Sequence, residues 1–180
     1  MIALLLTLAL QATPDACRLT DADLAVNRTL AFEDFDQGGS EVPHTAWNLS
    51  MAKCHAESAR ADADYLLHGP PLDDRQRVVV GWHMALSLAQ AGREAEAAPL
   101  VAASVQHLPP AEDEFDWNTY VRGVYGFLTR DRDLLDRSLA ALQAAPGQRN
   151  ALNAAALGKL SRCFARSYAE ATNAPVCAAE

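Results

Sequence analysis

The stretch Ala85-Leu86-Ser87-Leu88-Ala89-Gln90-Ala91-Gly92-Arg93-Glu94-Ala95-Glu96-Ala97 decides the fold. Its first half is built from strong helix formers, its centre carries the one residue type that enters the left-handed region without a steric cost, and its second half resumes a helical composition. That order reads as helix, turn, helix. Working upstream, Asp73 and Gln76 follow Pro70-Pro71 at capping-box spacing, so a helix opens there and closes at Gly92 as its C' residue. Within it Val78, Trp82, Ala85 and Ala89 recur at steps of three and four, which makes one apolar face. Trp117, Val121, Val124 and Leu128 repeat the device downstream, and Trp47, Met51 and Cys54 repeat it upstream.

Composition points the same way. The 180 residues include 36 Ala and 24 Leu against ten Val and a single Ile, a balance that favours helix over strand. The chain carries 15 Lys and Arg against 23 Asp and Glu, a net charge of -8, which argues against nucleic acid as a partner. The expected fold is all-α, with stacked antiparallel helical hairpins and a C-terminal capping helix.

The central unit resembles the tetratricopeptide repeat: Ala85, Leu88, Gly92, Ala97, Val101 and Pro109 hold the places of its small, turn and packing residues, with Ser104 where a second small residue is usual. A shift of 38 residues gives weaker copies. Downstream it lands on Gly123, Arg130, Leu135, Leu139 and Leu142, and upstream on Trp47, Cys54, Ala59, Ala63 and Leu66. The resemblance covers roughly residues 42 to 146 and implies a small solenoid whose first helices line a concave side. By that resemblance Trp82, Leu86, Trp117, Tyr120, Val124 and Phe127 are candidate partner-binding residues, since aromatic anchors in a groove suit a peptide or a partner helix. The competing reading is that they pack on the capping helix or on Phe32 and Phe35.

Outside the repeats, residues 1 to 12 form an apolar run too short to span a bilayer but suited to a signal peptide cleaved after Ala12; a buried N-terminal helix is the alternative. Residues 13–43 form an N-terminal extension in which Phe32 and Phe35 plug one end of the stack or its groove. The repeat domain spans 44–171, with a 172–180 tail. Within that domain Arg149 to Ala171 reads as one solitary capping helix with the stripe Leu152, Ala156, Leu160, Phe164 and Tyr168. Pro99 implies either a kink or a helix that starts near Ala97.

Four cysteines in a chain with an export signal read as disulfides, which places the protein in the periplasm or outside the cell. Cys163 with Cys177 and Cys17 with Cys54 is the preferred pairing; Cys17 with Cys177 and Cys54 with Cys163 is the alternative.

Motifs of catalysis are missing: there is no nucleophile elbow, zincin motif, phosphate loop or calcium loop. Cys54-His55 with Glu57, Asp62, Asp64 and His68 reads as a disulfide cysteine beside a solvated face rather than a metal site, and His44, His83 and His107 stand singly. Glu112, Asp113, Glu114 and Asp116 read as a solvated run complementing a helix N-terminus. The expected function is a non-catalytic adaptor for a protein or peptide, with no metal, cofactor or membrane span. The alternative is a motif-poor hydrolase or small-ligand binder using Asp62-Asp64-His68 or Glu112-Asp116.

Overall fold

The computed structural model describes residues 15–106 and 115–178. Among them the regular structure is helical, with no strand. A short 3-10 turn at Asp15–Cys17 leads into α1 (Asp21–Asn27), α2 (Phe32–Asp36), α3 (Ala46–Met51), α4 (His55–His68), α5 (Asp74–Gln90) and α6 (Glu94–Ala103). Then come α7 (Trp117–Leu128), α8 (Arg132–Ala144), α9 (Gln148–Arg162), α10 (Tyr168–Asn173) and α11 (Pro175–Ala178). The residues expected to form the signal peptide lie outside the described ones, as do His107, Pro109 and Glu112 to Glu114.

Helix α5 opens on the capping box read from the sequence: the Asp73 side chain accepts from the Gln76 amide at 2.7 Å, and the Gln76 Oε1 accepts from the Asp73 amide at 3.1 Å. It ends in a Schellman turn at Gly92, whose φ is 78°. There the Arg93 amide reaches back to the Leu88 carbonyl at 2.8 Å and the Gly92 amide to Ala89 at 3.1 Å. The same two bonds close two further turns. Cys54 and Lys53 reach Leu49 and Ser50 at 2.8 and 2.9 Å, and Asp131 and Arg130 reach Gly126 and Phe127 at 2.8 and 3.2 Å. Lys53 and Arg130 take φ of 62° and 60°, the left-handed conformation that Gly92 adopts between them.

One turn design therefore folds α3 onto α4, α5 onto α6 and α7 onto α8, and each of these pairs packs together. The left-handed residues lie 39 and 38 positions apart. Counting from them brings Ala46, Ala85 and Gly123 into one register, all buried. At Gly123 space is tightest, since a Cβ there would stand 2.4 Å from Leu157 Cδ1 on α9 and force that side chain to shift. The same count aligns Ser58, Ala97 and Leu135, and then Asp62, Val101 and Leu139. The first unit is thus displaced by one residue from the uniform 38-residue shift, and Ala46, Lys53, Ser58, Asp62 and Tyr65 replace Trp47, Cys54, Ala59, Ala63 and Leu66. One residue is 100° of helix rotation, so the correction changes which face is inside. Ala46 and Leu49 form the buried side of α3, while Trp47 and Met51 are 39% and 68% exposed.

Helix α9 also departs from expectation. It stops at Arg162 instead of running to Ala171, and Ser167 and Glu170 form a further capping box that starts α10. Its buried side is Asn150, Ala154, Leu157 and Leu160, with Leu152 exposed. Helix α6 begins at Glu94 and not near Ala97, with Pro99 inside it.

Cys17 pairs with Cys54 and Cys163 with Cys177, at Cα separations of 5.2 and 5.7 Å, the preferred connectivity. The second bridge closes over the short helix α10 rather than over an extension of α9. Two such bridges fit an oxidising, extracytoplasmic compartment. Among the described residues no helix is long and apolar enough to cross a membrane.

Two apolar clusters result. The larger gathers Trp82, Leu88, Val101, Val124, Phe127, Leu135 and Leu157, and the smaller, at the N-terminal end, gathers Leu24, Phe35, Leu49, Tyr65 and Val80. Phe35 is buried against Tyr65 at 3.8 Å between ring centres, and Phe32 packs on the same cluster.

The three turns differ in their side chains, which yields a test. Lys53 is exposed, so Lys53→Gly should relieve the left-handed strain and raise unfolding stability by up to about 1 kcal/mol in urea melts. Arg130→Gly should lower stability instead, because that guanidinium donates to the Phe164 and Arg166 carbonyls at 2.7 and 2.9 Å and to Glu94 at 2.8 Å.

Candidate functional site

Helix α4 turns Ser58, Ala59, Ala61, Asp62 and Tyr65 inward. Asp62 occupies the register filled by Val101 in α6 and Leu139 in α8, yet it carries a carboxyl group and is 0% exposed. Among the described residues neither of its oxygens has a hydrogen-bond partner. An ion without partners is expensive to bury, so the group responds by holding its proton. Burial, reinforced by the charge of Asp36, keeps the Asp62 carboxyl well above the ordinary carboxylate range.

Asp36 reaches this place because the preceding Phe35 stacks on Tyr65 of α4. It is 1% exposed, and its two oxygens lie 2.9 and 3.0 Å from Nδ1 of His83 on α5. Gln37 donates a further bond to the same carboxyl group. Asp36 is thus satisfied where Asp62 is not. Beside them Ser58 Oγ donates to the Ala46 carbonyl at 2.9 Å, so the Ser87 hydroxyl, 3.1 Å away, donates to Ser58. His55, at the start of α4, has an unpartnered, buried Nδ1; burial, with the nearby Lys53 charge adding to it, lowers its pKa.

These groups line a cavity of about 210 Å³ between α2, α3, α4, α5 and α10. The floor is Asp62, Asp36 and the two serines. Trp47 and Met51 of α3 and Leu86 of α5 form an apolar wall, of which Trp47 and Met51 reach solvent. Gln90, also on the lining, is tied to α10 by bonds to Thr172 at 2.9 Å and Asn173 at 3.1 Å. Among the described residues that line the cavity none is Lys or Arg.

Of the six aromatic and apolar residues singled out by the repeat resemblance, Leu86 alone lines this cavity. Trp82, Val124 and Phe127 are core residues. The Trp82 ring meets Trp117 at 5.3 Å and Tyr120 at 5.5 Å, while Phe127 meets Phe164 and Tyr168 at 6.0 Å each. The Trp117 indole donates to the Ser104 carbonyl at 2.8 Å, and burial pushes the Tyr120 hydroxyl up to about 12. Phe164 and Tyr168 of the C-terminal segment thus pack on Phe127.

The acids are likewise redistributed. Asp64 forms a two-bond pair with Arg28 at 2.7 and 2.8 Å on the surface, Glu57 pairs with Arg60, and His68 is exposed. Asp116 caps α7 through the Thr119 amide. Asp62 therefore parts from Asp64 and His68 and joins Asp36 and His83, neither of which the sequence reading had grouped with it. Among the described residues no cluster of His, Cys, Asp and Glu is fit to hold a metal ion.

The Asp62 proton has a measurable consequence. Between the unfolded value near 3.8 and its raised native value, the folded chain holds a proton that the unfolded chain has lost, so stability falls as pH rises from about 4. Asp62→Asn should remove that fall, leaving the variant more stable than the parent at pH 7 by about 1–3 kcal/mol, with the gap closing toward pH 4 in thermal melts. No protein-family model matches the chain, and neither a curated protein nor a solved structure is significantly similar to it.

Proposed function

We propose that this chain is an exported, non-catalytic adaptor of the tetratricopeptide-like kind, and that it captures a protein or peptide partner at the cavity floored by Asp62. The repeated Schellman turn, the small residue seven positions before it and the paired helices support the repeat reading. The paired disulfides support export.

One observation carries the binding reading: a carboxyl group stands where the sister units place Val101 and Leu139, finds no hydrogen-bond partner among the described residues, and lies on the lining of a cavity whose wall includes exposed Trp47 and Met51. Core geometry does not require that acid, since the two equivalent sites do without one. A site that must wait for an incoming group does.

A second reading rests on two carboxyl groups sharing one cavity, one of them held protonated, which is the arrangement general acid catalysis uses. Turnover of model esters or glycosides that disappears in Asp62→Asn would favour it over capture.

The adaptor reading is tested by a photo-crosslinking residue at position 47 of the exported protein, with exposed Leu152 on α9 as control. Position 47 should give a discrete adduct that Asp62→Val abolishes without loss of helicity; position 152 should give none. Equal labelling from both positions, or an adduct indifferent to Asp62→Val, would end this proposal.

A further inference from the structure

The adaptor reading leaves open what enters the cavity, and the donors it lacks identify the class. Asp62 lies on the cavity lining, and its two carboxyl oxygens are both buried and, among the described residues, both without a hydrogen-bond partner. Asp36, the other acid of the floor, already faces His83 and Gln37. No Lys or Arg lies among the described lining residues; of the two imidazoles there, His83 faces Asp36, and burial disfavours the charged form of His55, so a cationic complement to Asp62 comes from outside the lining.

We infer that the cavity receives the guanidinium group of an arginine side chain presented by the partner, paired through two parallel hydrogen bonds to Oδ1 and Oδ2 of Asp62. This rests on the adaptor reading above. A planar fork of N–H donors matches a carboxylate with both oxygens free, whereas an ammonium is a point charge that fills such a fork less well. A guanidinium is also less strongly hydrated, which lowers the cost of drawing it beneath the surface. The wall suits the rest of the side chain. Met51 and Leu86 offer apolar cover for the methylene stem, and Trp47 at the mouth offers an aromatic face on which guanidinium groups stack.

Size agrees. An apolar cavity of about 150 Å³ admits benzene, and this one, at about 210 Å³, has room for a planar head and part of its stem. Charge balances as well: Asp62 gives its proton to solvent as the guanidinium arrives, and the pair that forms is neutral. The acid that is poorly served in the free protein becomes fully hydrogen-bonded in the complex.

The test titrates the full chain with Nα-acetyl-arginine N-methylamide, the corresponding lysine amide and the corresponding citrulline amide, following nitrogen–proton correlation spectra. Citrulline keeps the shape of arginine and removes the charge. The arginine amide should bind at least about tenfold more tightly than the lysine amide, a difference of about 1.4 kcal/mol. The citrulline amide should not saturate, the shifts should map to α3, α4 and α5, and Asp62→Asn should abolish the response while preserving helicity. The ranking of the three amides on the parent chain needs no variant and stands if Asp62→Asn misfolds. Equal binding of lysine and arginine, or of citrulline and arginine, overturns the inference. If no amide binds while the position-47 adduct forms and is lost in Asp62→Val, the arginine inference fails and the adaptor reading survives; if neither occurs, both fail.

Discussion

Each of the three hairpins turns on a backbone hydrogen bond that spans five residues, from the first amide after a left-handed residue to a carbonyl in the last turn of the preceding helix. That bond sets the angle at which the second helix returns and the residue from which its inward face is counted. Once it forms, Ala46, Ala85 and Gly123 share one buried register, and the residues five and nine places beyond the turn face the core. Packing follows from this register, because a helical stripe is buried only against the stripe of a neighbour. The two disulfides act on the ends of the arrangement. Cys17 is tied to Cys54 at the mouth of α4, and Cys177 to Cys163 at the foot of α9.

Where the register is kept and the chemistry is broken, the site appears. Ser58 and Asp62 stand in places that the other two units fill with Ala97 and Leu135, and with Val101 and Leu139. The N-terminal segment then completes the anomaly, since the stacking of Phe35 on Tyr65 delivers Asp36 to the same cavity and His83 closes on it from α5. A pocket with a polar floor in an Ala- and Leu-rich protein is thereby assembled from five helices that share no motif. The aromatic cluster around Trp82, Trp117 and Phe127 works in the opposite sense. It joins the second and third units to the C-terminal helices and is consumed by packing.

Much of the scaffold was legible along the chain because its signals are local. The Asp73 to Gln76 capping box, the left-handed Gly92 and the apolar steps of α5 each depend on residues within one or two turns. The cysteine pairing was readable too, although the path between Cys163 and Cys177 was not. Ser167 and Glu170 carry a capping box that would have placed the break after α9, and the unbroken stripe from Leu152 to Tyr168 concealed it. Asp62 was named beside Asp64 and His68, but its inward register was hidden by arithmetic. A uniform 38-residue shift assigns Val101 to Ala63, and the true offset of 39 assigns it to Asp62.

The amino-acid sequence alone therefore determined the helical class, the position of the central hairpin, its turn residue and the chemistry of the covalent staples, since these follow from propensity, capping and periodicity over short distances. Tertiary structure decided which residues of α3 and α4 face inward, that α9 ends at Arg162, and that Asp36, Asp62 and His83 meet. The reason is geometric. A helix rotates by 100° for every residue, so an insertion of a single position between hairpins is invisible in composition but decisive for which side chain is enclosed. Groups separated by dozens of residues come together only after those rotations are set.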